Sequence, residues 1–308
     1  EKIHDPNQNI SSVFVADMDN DGDMDIVFAS DFDDRIFWCE NDGAADPSWT
    51  ASDISTSADG ARSVFAADMD NDGDTDYLVG NFGFNTKYQA SKTKPEIMYY
   101  GDFEGNGKKR IIEAKYENGI CLPHRGLGCS SGAMPMVKQK LPTYHQFAIT
   151  SLQDIYTEDR IKDAELFEIN NLASGILINK TNKKGKVRLE FQPLPRIAQA
   201  SPIFGSAVCD INGDGNLDLY VVQNFYGPQR ETGYMDGGVS LLLLGNGTGQ
   251  FESIAPAISG LLVPGDATSL TIGDLNQDQR PDFIAGVNSR NLKIFLNQTK
   301  YRCHKSSP

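Results

Sequence analysis

The sequence has no long apolar run. Its longest hydrophobic stretches are only a few residues, far short of the roughly 20 that a membrane-crossing helix needs, so no segment spans a bilayer as a helix. Basic side chains are scarce: 28 Lys and Arg stand against 42 Asp and Glu, a net charge of −14. No basic stripe is available to meet phosphates, which excludes nucleic acid or an anionic membrane as partner. Histidine is scarcer still. His4, His124, His145 and His304 show neither H-x-x-x-H nor H-E-x-x-H spacing, so zinc has no support. Five cysteines cannot all pair within the chain. Cys121 and Cys129 are near enough in sequence to close a small loop, Cys209 is expected as a buried thiol on a core strand, and Cys39 and Cys303 fall on or near outer hairpins. The opening Glu-Lys-Ile-His-Asp has no charged n-region or apolar h-region, so a secretory signal is absent from this chain or already removed. Apolar residues, by contrast, are plentiful. They make up 39% of the 308 residues, with 16 Phe, 11 Tyr and 2 Trp, which is enough for a sizeable core and argues against disorder.

The acid is concentrated in repeats. Asp17-Met18-Asp19-Asn20-Asp21-Gly22-Asp23-Met24-Asp25 and Asp68-Met69-Asp70-Asn71-Asp72-Gly73-Asp74-Thr75-Asp76 are nearly the same nine residues twice. Weaker copies begin at Asp210 and Asp274, and a fifth, from Asp102 to Arg110, keeps the start of the pattern and loses its end. The starts are separated by 51, 34, 108 and 64 residues, so the long gap holds about two periods or an insertion. Repeats of this length point to a propeller, a solenoid or an array.

Alternating Asp and Asn at odd positions turns hard oxygens inward around one cation. Position seven adds a backbone carbonyl, and Gly at position six supplies the positive φ of a tight loop. Oxygen-only ligands select calcium over zinc or copper. The ligand sets are Asp17, Asp19, Asp21, Asp23 and Asp25; Asp68, Asp70, Asp72, Asp74 and Asp76; Asp210, Asn212, Asp214, Asn216 and Asp218; and Asp274, Asn276, Asp278, Arg280 and Asp282. They imply three to four structural Ca²⁺ ions. Gln279 replaces the glycine of the last copy and must accept a left-handed backbone. The loop at 102 is expected to bind no metal, because Arg110 stands at position nine, where its guanidinium could take the cation's place.

An EF-hand would need flanking helices and a Glu at position twelve, where these loops carry Phe28, Val79, Val221 and Ala285. The flanks, such as Val13–Ala16 and Ile26–Ala29, are short, apolar and β-rich, so each unit reads as strand, calcium loop, strand. Further hairpin segments follow at Arg35–Cys39, Gly175–Asn179 with Val187–Phe191, and Ser240–Leu244 with Phe251. Two inner strands and an outer hairpin make a four-stranded blade. Helical spacing of apolar residues over Met136–Leu141, Tyr144–Leu152 and Asp159–Phe167 marks 120–170 as a mainly helical insertion. The expected architecture is all-β: one propeller domain over residues 1–308 with about six blades, five to seven being allowed.

These residues also carry a resemblance. The Asp-x-Asp-x-Asp-Gly-x-x-Asp loops between apolar strands resemble FG-GAP/VCBS repeats, the units of integrin-α-type propellers. Asn81–Tyr88 with Tyr99–Phe103, Cys129–Pro135, Lys140–Tyr144 and Asn171–Ser174 are similar to bacterial secreted VCBS-repeat proteins of the ASPIC/UnbV-associated type. The resemblance implies an extracellular or cell-surface protein acting in adhesion or recognition of a protein or glycan, and calcium at the loops starting at 17, 68, 210 and 274.

Two functions stay open: a calcium-braced recognition or surface-assembly module, with self-assembly as a variant, and a secreted propeller enzyme acting on polysaccharide. Gly128-Cys129-Ser130-Ser131-Gly132 fits a nucleophile-elbow pattern, but no βα alternation surrounds it. No catalytic residue is assigned, and the chain is expected not to be an enzyme. Sequons at Asn9, Asn179, Asn246 and Asn297 allow glycosylation. The candidate recognition surface is Tyr116–Tyr144, Asn81–Tyr88 and Asn224–Tyr234, rich in aromatic, Asn and Gly residues.

Overall fold

The computed structural model describes residues 10–19, 21–30, 35–44, 47–55, 63–180, 188–228 and 232–299. Each acidic loop falls between two short antiparallel strands. The first sheet is a meander of β1 (Ile10–Ala16), β2 (Asp25–Ser30), β3 (Arg35–Asn41) and β4 (Trp49–Ser55), with the loop of Asp17 joining β1 to β2. The second sheet starts with β5 (Ser63–Ala67) and β6 (Asp76–Gly80), and the chain then leaves it. Within that excursion lie β7 (Glu96–Gly101), β8 (Arg110–Glu117), β9 (Ile120–Pro123), α1 (Leu127–Ala133), α2 (Met136–Lys140), α3 (Tyr144–Ile149), α4 (Leu152–Tyr156), α5 (Glu158–Lys162) and β10 (Glu165–Ile169). On return, β11 (Gly175–Asn179) pairs with β6, and β12 (Leu189–Pro193) completes the order β12-β11-β6-β5. A third sheet follows from β13 (Ile203–Cys209), β14 (Asp218–Gln223), β15 (Leu241–Gly245) and β16 (Phe251–Ile254). After α6 (Pro256–Ser259) the last sheet has three strands, β17 (Ala267–Gly273), β18 (Asp282–Val287) and β19 (Lys293–Phe295). The protein is thus all-β with few helices, and its four-stranded antiparallel sheets are of the kind that build propeller blades.

The chain divides into two compact units, residues 1–87 with 173–308, and residues 88–172. In the first, the opening strands of successive sheets are neighbours: β1 beside β5, β5 beside β13, and β13 beside β17. Apolar layers fill the spaces between them. Val27, Ala29 and Ile36 meet Val64 and Val79; Leu78 and Ile176 meet Leu219, Val221 and Leu243; Ala207, Tyr220 and Val222 meet Phe283 and Ala285. This explains the unbroken apolar runs Tyr77–Val79 of β6 and Leu219–Val222 of β14. A strand buried on both faces has no polar side to alternate with, and every residue of these two is buried.

The second unit holds a sheet of its own, in the order β10-β7-β8-β9, with five short helices packed around Ile97, Ile112 and Ala114. The segment 120–170 contributes β9, the five helices and β10. Helix was expected over Asp159–Phe167, and there the structure differs. The helix stops at Lys162, and Glu165–Ile169 pairs with the free edge of β7, whose backbone groups take the partners a helix would have kept for itself. Leu127–Ala133 forms a further helix ahead of the segments whose spacing is helical. No disulfide joins Cys121 to Cys129. Cys121 packs on the core of this unit and burial pushes its thiol up. Cys209 is half-buried on β13, and Cys303 lies outside the described residues.

The excursion leaves and re-enters the second sheet at one point. Asn81 donates its amide to Ser174 Oγ at 2.9 Å, and that hydroxyl donates back to the Asn81 carbonyl at 3.2 Å. Replacing residues 88–172 by a short Gly/Ser linker should therefore leave a soluble chain with a single cooperative melt followed by circular dichroism. A chain left without a transition would show that the first unit depends on the second to fold.

Candidate metal centre

All five loops are wound alike. The carboxylate at position one accepts the amides of positions five and six at 2.7–3.2 Å, and the side chain at position five accepts the amide of position seven at 2.8–3.1 Å. Such local acceptance is what Asp and Asn do in turns. Position six has φ of +98°, +92°, +79° and +88° at Gly22, Gly73, Gly107 and Gly215, and +66° at Gln279, so the left-handed glutamine expected from the sequence is present.

Position nine stands apart. Asp25, Asp76, Asp218 and Asp282 are 0–1% exposed. One oxygen of each accepts the amide of loop position two (Met18, Met69, Ile211, Leu275), and the other accepts an amide at the end of the third strand (Asn41, Asn179, Gly245, Asn297), all at 2.8–2.9 Å. The same carboxylate thus closes the loop and ties it to the neighbouring hairpin. The sequence pattern gives position nine as a ligand and misses this second role, since the partner amide is far away in the chain. The signal that could have found it is an Asn recurring at the close of the third strand, as Asn41, Asn179 and Asn297. Burial pushes Asp76 and Asp218 up to about 6 despite their two amide donors.

Carboxylate oxygens of Asp17, Asp19 and Asp21 lie within 4.8 Å of one another, as do those of Asp68, Asp70 and Asp76. Partial burial, with the nearby Asp21 charge, pushes Asp19 up. In the loops at 210 and 274 the position-three side chains, Asn212 and Asn276, donate to Asp214 and Asp278 at 2.9 and 3.0 Å. Arg280, whose backbone carbonyl is the expected ligand, holds its guanidinium 3.4 Å from Asp278. The loops at 68 and 210 touch through Asn71 Nδ2 and Asn216 Oδ1, 3.2 Å apart, so they share one rim of the first unit. At 102 no buried Asp closes the loop. Asp102 takes four amides, while Arg110 makes no ion pair with the loop acids among the described residues, so the stand-in role expected of it is not seen. A stand-in exists elsewhere. Lys180 Nζ lies 2.5 Å from Asp70 Oδ2 and 2.9 Å from Asp72 Oδ2. Its hydrogen bonds to these carboxylates hold Lys180 well above the usual lysine range and draw Asp72 down.

The other sequence candidates scatter. Ser130 is buried on α1, with its hydroxyl 3.4 Å from the Arg125 carbonyl. His124 pairs with Glu96, both nearly buried, and packs edge-on against Tyr88 5.3 Å away. Asn179 ends β11, Asn246 and Asn297 follow β15 and β19, and Asn9 is outside the described residues. Two of the expected recognition loops do converge in the first unit. Phe82 and Phe225 rings are 6.3 Å apart, Tyr226 stacks on Tyr234 at 4.7 Å, and Phe84 and Tyr234 are exposed. The third, Tyr116–Tyr144, belongs to the other unit.

A family model described as an FG-GAP-like repeat matches residues 17–79 and 210–285. These two segments are similar to FG-GAP-like repeats. The matched segments enclose the four loops closed by a buried aspartate and leave out the loop at 102. No curated protein matches the chain. Among solved structures, one described as the structural basis of specific recognition of non-reducing terminal N-acetylglucosamine by an Agrocybe aegerita lectin aligns over 95% of this chain and 81% of its own, at 14% identity and a TM-score of 0.22. That likeness is too small to carry an argument. Among the described residues no helix is long and apolar enough to cross a membrane.

Two outcomes follow from the geometry of these loops. Gln279→Gly relieves a left-handed non-glycine residue and should stabilise the protein by about 1 kcal/mol in urea unfolding, and an unchanged or lower urea midpoint would refute it. In chelator, Asp76 and Asp218 bind their proton more tightly folded than unfolded, so their contribution is fully favourable below about pH 4 and is lost as pH rises through about 6. Asp218→Asn should remove about 3 kcal/mol of that pH dependence between pH 4 and 7. Parallel stability–pH curves for the two proteins would refute it.

Proposed function

We propose that the chain is a calcium-braced FG-GAP-type propeller module of about six blades, which works outside the cell or at its surface in recognition or adhesion. The observation that carries this reading is the repetition of one acidic loop, four of its five copies closed by a buried aspartate and flanked by apolar strands. The donor set suits a hard divalent cation. It is all oxygen, mostly carboxylate, and in the second loop Asp70 Oδ1 is buried with no hydrogen-bond partner. Residues Asp17–Asp25, Asp68–Asp76, Asp210–Asp218 and Asp274–Asp282 would hold the ions, and an ion there would neutralise crowded acids and stiffen the turn. Calcium is then structural, because four repeats share the same loop whereas chemistry needs only one. The reading is a binding module and assigns no catalytic residue.

Recognition falls to the other end of the strands. β6 and β14 begin at their acidic loops and end at Asn81 and Asn224, where the two aromatic loops start. Five or six residues of strand separate the ends by about 17–20 Å. Exposed aromatics at Phe84 and Tyr234 above buried Asn224, Ser201 and Gln199 offer flat apolar area on a rigid base, which suits a glycan or a peptide.

Calcium should raise the melting temperature over that in chelator, since an ion that binds only the folded state stabilises it by mass action. Phe84→Ala with Tyr234→Ala should keep that calcium-dependent melt and lose capture on a panel of immobilised glycans and extracellular proteins. Equal melts with and without millimolar calcium would overturn the metal assignment, and unchanged capture by the aromatic variant would overturn the recognition face.

A further inference from the structure

Resting on the calcium reading, we infer that Lys180 is a tethered cation that competes with the divalent ion for the loop of Asp68–Asp76, so that this loop fills at higher calcium than those at 17 and 210. The ammonium bridges positions three and five, taking one oxygen from each of two carboxylates the metal would need. Its place is fixed by the fold. Lys180 directly follows Asn179, whose amide is held at 2.8 Å by Asp76, the position-nine aspartate of the same loop. The competitor is therefore anchored by the site it blocks, and tethering keeps its local concentration high.

The substitution is particular to this repeat. The residues that follow the equivalent anchored amides are Asp42, Asn246 and Gln298, none of which carries positive charge. Asp19 and Asp21 in the loop at 17 and Asp214 in that at 210, the counterparts of Asp70 and Asp72, have no Lys or Arg partner among the described residues, and the contact in the loop at 274 is the longer Arg280–Asp278 pair at 3.4 Å. Lys180 also leaves the second loop incompletely served. The Asp70 side chain is nine-tenths buried, and its Oδ1 accepts nothing even with the ammonium on Oδ2. A monovalent ammonium reaches one oxygen of this carboxylate, whereas a divalent ion approached by several oxygens at once can serve the rest. The loop is thus held together without metal and remains open to displacement of the lysine.

The test compares the full chain with Lys180→Met, which keeps the stem and removes the charge, and with Lys180→Gln, by calorimetric calcium titration and by melting in chelator. Both variants should fill one site about tenfold more tightly than the parent protein, the effect of removing two partly exposed ion pairs. In chelator both should melt below the parent, and in millimolar calcium the difference should vanish or reverse. Asp214→Ala in the third loop should delete a different site and leave the Lys180 effect intact. Calcium isotherms and chelator melts that superimpose for parent and variants, with calcium still bound, would overturn the competition while sparing the calcium reading. Flat isotherms for all proteins would overturn both.

Discussion

A carboxylate removed from water and held by two backbone amides is the constraint around which each repeat is organised. In a buried setting an acid is costly unless its oxygens are occupied, and in Asp25, Asp76, Asp218 and Asp282 both are. Only a short acid reaches an amide inside its own turn and another on the third strand, so loop conformation and hairpin register are set by one side chain. The outer acids of the loop follow from that closure. Once position nine is fixed, positions one, three and five are drawn together, where their crowded oxygens accept the loop's own amides and would suit a cation. At Asp102–Arg110 the closing aspartate is missing; the turn is kept by local amide bonds, and the acids thin out to Asp102 and Glu104.

The loops and their flanking strands were legible because their determinants are contiguous. A glycine or left-handed residue at position six and alternating oxygens are all read within nine residues, and the apolar flanks mark strands buried on both faces. What stayed hidden depends on contacts between distant positions. The partner of Asp76 is Asn179, more than a hundred residues on, and Lys180 reaches Asp70 only because the excursion returns the chain to that rim. β10 was unreadable for a similar reason. Its Leu166 and Phe167 suit a helix face as well as a strand, and the choice was made by the unpaired edge of β7. The thiols of Cys121 and Cys129 show that proximity in sequence says little when one residue sits on a strand and the other on the next helix.

Strand ends divide the first unit into two chemistries. At one end the side chains are acidic and engaged with amides, so they are poor at contacting anything besides a cation. At the other, Asn81 is buried against Ser174, and Asn224 accepts from Ser201 and donates to the Gly238 and Gly265 carbonyls, and the aromatic rings project from loops so anchored. Anchoring of this kind lowers the ordering cost of a binding loop. If the loops hold calcium as proposed, its loss would be felt first as a softening of the turns and only through the strands as a change in the rings.

The position of the excursion also bears on how the protein is made. β6 leaves the ribosome well before its partner β11, with the whole of residues 81–174 in between. At elongation rates of about 5–20 residues per second, β6, apolar beyond Asp76, waits on the order of 5–20 s with one edge unpaired. During that interval the unit of 88–172 has time to fold by itself. Its completion would bring Asn81 and Ser174 toward each other and deliver β11 to the waiting edge. The insertion would thereby act as a timer for the second sheet, and a pause in translation within it would lengthen the exposure of an aggregation-prone strand.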